Sequence, residues 1–219
     1  SRIFEEKFVT ANIPYKIVGG INFYARREIK DLLCYLKTID NGKDDLAVRR
    51  VINVPKRGIG LTSINRVQDY AAAYDIGFYD ALLSADAIPN IGRGLSKLES
   101  FVALIEHFKV DAKDMTLSDL MQEILDVTGY IDSLMAEGPE EAEARIENID
   151  ELRSKIATYE ETCEENNEPA TLNGFLEEVA LVADIDSLDE DTDYVVLMTL
   201  HSAKGLEFSH VYLAGLEDG

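Results

Sequence analysis

Apolar positions repeat with a helical period over most of this chain and with a strand-like pattern only near its two ends. Residues 13–18 (IPYKIV) form a short β-rich run closed by Gly19-Gly20, which predicts a strand followed by a turn. From Arg26 the period changes. Ile29, Leu32, Leu33, Leu36 and Ile39 fall at i, i+3, i+4, i+7 and i+10, one face of a helix that ends before Asn41-Gly42. A shorter helix is predicted over 44–52. The next segment, NVPKRGIG, carries Pro55 and two glycines and is not helix interior.

From Thr62 to about Glu165 the pattern is helical throughout. Ile64, Val67 and Ala71 mark one apolar stripe, Leu95, Leu98, Val102 and Ile105 a second, and Leu117, Leu120, Met121, Ile124 and Leu125 a third. The clearest helix is predicted over 139–163. Pro139, with Glu140 and Glu141 beside it, suits a helix N-terminus. Ile146, Ile149, Leu152, Ile156, Tyr159 and Cys163 then line one face, and the other face is mostly acidic and reads as solvated surface. One more helix is expected over 172–183, then strands over 194–198 (YVVLM) and 211–213. Between them, DIDSLDEDTD (184–193) holds six carboxylates in ten residues. It has no central glycine, so it reads as a charged linker or hinge rather than a calcium loop.

The organisation is therefore mainly α: a helical middle between ends that would form one α/β layer. The 46% hydrophobic content is enough to bury a core, and no apolar run is long enough to span a bilayer, so no membrane partner is expected. The opening SRIFEEKFVT has no signal pattern. Cys34 and Cys163 are too few and too far apart for a disulfide scaffold or a metal site. A cytoplasmic protein is the expectation. Both ends read as cut, so the chain is expected to be a piece of something longer.

Net charge is −21, which taken whole argues against nucleic-acid binding. The average conceals a split. Residues 1–70 hold 13 basic and 8 acidic side chains, and the remaining 8 basic and 34 acidic ones lie in 71–219. A polyanion site belongs in the first third.

No GxxxxGK[ST] phosphate loop is present, nor HExxH, CxxC or GxSxG, and no metal ligand set is expected. The three histidines, His107, His201 and His210, have no partners at ligand spacing, and His107 reads as structural. Two segments can carry chemistry. In the first, Lys56 to Ser63 (KRGIGLTS), Gly58 and Gly60 let backbone approach a ligand. Exposed N–H groups before a helix favour an anion, Lys56 and Arg57 add positive charge, and Thr62 or Ser63 can cap the helix. That suits a duplex phosphate backbone without reading base sequence; a tight turn with incidental charge fits equally well. The second is TLHSAKGLEF (199–208), a polar, glycine-containing turn directly after an apolar strand, where open α/β sheets bind ligands. Here Glu207 can accept a sugar hydroxyl, and Thr199, His201 and Ser202 can hold a phosphate. An ordinary strand–helix connection fits as well.

TLHSAKGLEF, preceded by YVVLM and with VYLAGLEDG after it, resembles motif V of superfamily 1 DNA helicases of the UvrD/PcrA/Rep type. SRIFEEKF with IPYKIVGGINFYARREIKDLLCYL resembles the end of that family's motif IV and the stretch directly C-terminal to it. NVPKRGIG resembles its GIG segment, and the subtype is most similar to PcrA. The resemblance implies a motor of two RecA-like domains, 1A and 2A, carrying insertions 1B and 2B. Residues 1–17 and 191–219 would be remnants of 2A, and 18–190 the helical 2B subdomain. It assigns Gly58, Ile59 and Gly60 to duplex binding, with Lys56, Arg57 and Thr62 added as neighbours on physical grounds. It assigns Thr199, His201 and Ser202 to single-stranded DNA, and Gly205 and Glu207 to ATP.

The implied parent is a bacterial, ATP- and Mg²⁺-dependent 3′→5′ helicase of DNA repair or replication, in which 2B swivels on hinges near 18–20 and 184–193. The phosphate loop, the metal-binding carboxylates and the motif VI arginine are expected outside this segment. Phosphoryl transfer needs all of them together, so the segment alone is expected to bind neither ATP nor Mg²⁺ and to be inactive. Expected partners are DNA at a duplex–single-strand junction, the other helicase domains, and repair or transcription proteins. A different class of function is an acidic helical scaffold that docks such proteins through 139–163. A free-standing enzyme is disfavoured by the missing nucleotide machinery.

Overall fold

The structure is a computed structural model that describes residues 4, 7, 8, 10, 11, 13–18, 23–185, 194–198, 200 and 203–214. The chain divides into two compact units, one made of 1–22 with 181–219, the other of 23–180.

In the first unit, β1 (Tyr15–Val18) and β2 (Val195–Met198) pair in parallel, with Tyr15 opposite Val195 and Val18 opposite Met198. Parallel strands need a crossover rather than a hairpin, and here the chain between them is the entire helical unit. Tyr15 is buried and its ring lies 5.9 Å from that of Phe8. The strand expected over 211–213 does not form. No ladder partner for it exists among the described residues, and Val211, Tyr212 and Leu213 are exposed. A short run without a neighbour to take its backbone bonds stays irregular.

The second unit is all helical: α1 (Arg27–Asp40), α2 (Asp45–Val51), α3 (Leu61–Tyr74), α4 (Phe78–Leu83), α5 (Leu95–Asp111), α6 (Leu117–Thr128), α7 (Tyr130–Glu137), α8 (Pro139–Glu165) and α9 (Leu172–Ile185), the last crossing the division between the units. The expected stripe on α1 is fully inside, but so are Glu28, Asp31, Tyr35 and Thr38. Helix α1 is therefore the centre of the core and packs against α2, α5 and α8. Its buried charges are paired. Asp31 accepts from Arg50 Nε at 2.6 Å and from the Tyr130 hydroxyl at 2.8 Å, and Glu28 accepts from Asn148 Nδ2 at 2.6 Å. Such pairing is the condition for burying a carboxylate.

Helix boundaries obey local chemistry. Asp44 caps α2 by accepting from the Ala47 N–H, Thr116 caps α6 by accepting from Asp119, and α6 ends at Gly129 in the left-handed region. Pro139 opens α8 as predicted, and Ile149, Leu152, Ile156 and Cys163 are buried along it. Its acidic residues are not all solvated. Glu151 is buried, and Glu160 takes the N–H groups of Leu117 and Ser118 at 2.6 and 3.2 Å, closing the N-terminus of α6. The acidic segment 186–193 lies outside the described residues, as do 19 and 20.

Candidate nucleic-acid interface

The loop between α2 and α3 is built from side chains that satisfy backbone. Asn53 Oδ1 accepts the N–H groups of Arg57 (2.8 Å) and Ile59 (3.2 Å), so one amide holds two alternate residues. Ile59 is buried at 3% exposure and anchors the loop in the core. Gly58 sits at φ +69°, and a Cβ there would also meet Lys97 Nζ at 2.9 Å, so only glycine fits without strain. Lys97 donates to the Gly58 carbonyl at 2.7 Å, tying the loop to α5.

Arg57 faces inward. Its guanidinium donates to the carbonyls of Val51 (2.8 Å) and Val54 (3.1 Å) and to the Tyr35 hydroxyl, which in turn donates to the Val54 carbonyl. It lies 5.5 Å from the Phe101 ring centroid and 5.8 Å from that of Tyr35. Lys56 is exposed. The Lys-Arg pair thus divides, with one cation exposed and the other half-buried and engaged by carbonyls and a hydroxyl.

Helix α3 starts at Leu61, with Gly60 in the extended N-cap conformation and no side-chain cap. Thr62 and Ser63, the expected alternative caps, stand two and three residues past the Gly60 cap position, inside the first turn. Ser63 and Ile64 donate to the Gly60 carbonyl at 3.0 and 3.2 Å. The N–H groups of Gly58, Gly60, Leu61 and Thr62 make no hydrogen bond among the described residues. Nothing lies within 4 Å of a Cβ placed on Gly60, and Thr62 is exposed. Free donors, an uncapped helix start and the exposed Lys56 make a local anion-attracting surface. It is contiguous with the turn at 92–94, where Gly94 closes on Ser63.

The second segment is less complete. Gly205 lies at φ +86° in a turn closed by Leu206 N–H donating to Ala203 O at 3.0 Å, and Glu207 is exposed. Thr199, His201 and Ser202 lie outside the described residues.

One cluster was missed by sequence reasoning. His107 does have partners: Nδ1 is 3.1 Å from Asp111 Oδ2, four residues on, and Nε2 is 3.3 Å from Glu123 Oε1 on α6. The i, i+4 spacing was visible, but the approach of α6 was not. Among the described residues this is the set with metal-ligand composition, its ligand atoms lying within 4.8 Å of one another. The imidazole lies between carboxylates of two helices, α5 and α6. Burial and the facing Asp111 carboxylate push the Glu123 carboxyl up.

Comparison with known proteins converges on one family. The model of the UvrD-like helicase C-terminal domain matches residues 1–219. The ATP-dependent DNA helicase PcrA of Bacillus subtilis is 43% identical over 225 aligned positions, covering all of this chain and 30% of that protein. PcrA helicases of Staphylococcus epidermidis and Staphylococcus aureus are also 43% identical over 218 positions, again with 100% of this chain and 30% of theirs. The chain thus spans about a third of the length of the curated relatives it matches. With the match running from the first residue to the last, the chain belongs to the UvrD-like helicase C-terminal domain family.

Proposed function

We propose that this chain is the duplex-contacting, regulatory 2B portion of an ATP-dependent 3′→5′ DNA helicase, flanked by parts of domain 2A. The observation that carries it is the 56–62 surface, where free backbone donors, an uncapped helix start and Lys56 meet in the basic third of an acidic chain. Such a surface holds phosphates without reading bases. Gly58, Gly60, Lys56 and Thr62 form this contact, and Ile59, buried and with its N–H held by Asn53, anchors it from within. Residues 23–180 supply the helical insertion, and the two-stranded unit supplies the 2A portion, in which Gly205 and Glu207 meet ATP and Thr199, His201 and Ser202 meet single-stranded DNA.

The exposed apolar side chains of Leu206, Phe208, Val211, Tyr212 and Leu213 support a 2A layer completed by other parts of the parent. ATP and Mg²⁺ act in that parent, in the bacterial cytoplasm, in DNA repair and replication. This segment alone hydrolyses no ATP. Hinges near 18–20 and 184–193 let 2B swivel, and disulfides locking both while leaving unwinding intact would exclude them.

The test is fluorescence anisotropy of the chain with a tailed hairpin duplex at several low salt concentrations. Saturable binding that weakens with salt, with a slope lowered by about one in Lys56→Ala, is the expected result. No binding at the lowest salt favours a second reading: a protein-docking scaffold, supported by the exposed carboxylates Glu143, Glu147, Glu161 and Glu164 on α8. Repair or transcription proteins would be its partners.

A further inference from the structure

The sequence KRGIG presents Arg57 as a second phosphate ligand beside Lys56, and removing both would then lower the salt slope by about two. The structure gives the two cations different surroundings. Arg57 donates to the carbonyls of Val51, Ile52 and Val54 and to the Tyr35 hydroxyl, and it lies against the Tyr35 and Phe101 rings. The planar guanidinium serves several acceptors at once, which an ammonium group cannot reproduce. Turning it toward a phosphate would leave the Val51 carbonyl without this donor inside the turn. It would also remove one of the two links to Tyr35 on α1, leaving only the bond from the Tyr35 hydroxyl to the Val54 carbonyl.

Asn53 completes the arrangement. By accepting the N–H groups of residues 57 and 59 it holds the alternate amides inside, while those of Gly58 and Gly60 stay without acceptors. We propose that Arg57 is a positioning residue: with Asn53 and Tyr35 it clasps the 53–60 loop so that its free amides face a nucleic-acid phosphate, and it is not itself a phosphate ligand. This rests on the duplex reading above. It predicts that the loop is shaped before DNA arrives, so little ordering entropy is lost on binding.

Arg57→Lys tests it, because the charge stays and the fork is lost. In the 219-residue chain, deuterium exchange at the Ile59 amide, tracked by NMR, is expected to accelerate about tenfold or more, while the amides of α1 and α5 keep their protection. Duplex affinity should fall about tenfold with the salt slope unchanged, in contrast to the loss of about one unit in Lys56→Ala. Tyr35→Phe removes one hydroxyl and should move the Ile59 amide in the same direction by less; it carries the test if Arg57→Lys does not fold. An Arg57→Lys chain with unchanged Ile59 exchange and affinity overturns the proposal. So does an Arg57→Gln chain whose slope drops by about one while Ile59 exchange stays put, since Arg57 would then be a ligand. If the unaltered chain binds no duplex, the duplex reading fails and the proposal with it, whereas an unmoved Ile59 amide sinks the proposal alone.

Discussion

The helical unit and the two-stranded unit solve the problem of buried backbone in opposite ways. In the helical unit, polar groups that fall inside are closed by partners far along the chain: Asp31 by Tyr130, Glu28 by Asn148, and the first turn of α6 by Glu160. Even the loop between α2 and α3 is finished internally, by Asn53, Arg57 and Lys97. In the two-stranded unit, 203–214 is exposed almost throughout, with Tyr212 92% accessible. A two-stranded sheet is marginal by itself. Two glycine-containing loops of the same family domain are thus held differently, one by its own unit and the other with little around it.

The largest effects should separate the two units by stability. Phe101→Ala removes a fully buried ring under Arg57 and is expected to cost about 3–5 kcal/mol in urea denaturation. Phe208→Ala, on the exposed segment, should stay within about 0.5 kcal/mol. Equal losses would break the contrast.

Glycine substitution sharpens it at intermediate scale. Gly58→Ala and Gly205→Ala both place a Cβ at positive φ, at a cost of about 1–2 kcal/mol each in local conformational energy. Gly58 lies in a loop anchored by the buried Ile59 and by Asn53, so Gly58→Ala should register in the global unfolding transition and weaken duplex binding, whereas Gly205→Ala, in an exposed segment, should not. A Gly205→Ala chain that lost as much global stability would show the second loop to be better supported than its exposure indicates.

The smallest effects are electrostatic and have opposite signs within the helical unit. The hydrogen bonds from Arg27 hold the Glu137 carboxyl below its usual range. A depressed pKa adds stability above the unfolded pKa that is lost as pH falls through the folded one, so Glu137→Gln should flatten the acid limb below about pH 4. The pair is partly exposed, and its contribution should be under about 1 kcal/mol. Glu123 is shifted upward, mainly by burial, so its contribution is present below the unfolded pKa and lost as pH rises through the folded one. Glu123→Gln should therefore raise the thermal midpoint slightly at neutral pH while Glu137→Gln lowers it. Parallel shifts would contradict both assignments.

Much of the helical unit was legible because its causes are local. The spacing on α1, the Asn41-Gly42 stop, Pro139 at the start of α8 and the glycine turn at 58–60 each rest on a few adjacent residues. The surroundings of Arg57 were not legible, for the opposite reason. In one dimension it is a cation beside a cation, and nothing adjacent says that Tyr35, 22 residues earlier, will share its fork. The acidic face of α8 misled in the same way, since Glu160 takes its role from an N-terminus 43 residues distant.

The sequence by itself determined some helix limits, such as the stop after α1 and the start of α8, which faces are apolar, that positive charge gathers in the first third, and to which family the three motif segments point. Those properties depend on backbone preference and periodicity, which act over a turn or two of chain. Only the tertiary structure decided which charged groups are surface and which are scaffold: Lys56 and Glu143 are exposed, while Arg57 and Glu160 are half-buried and hold backbone groups of distant or neighbouring segments. A charge is drawn inside only where donors or acceptors from distant segments converge to replace its water, and that convergence exists only once the helices have packed.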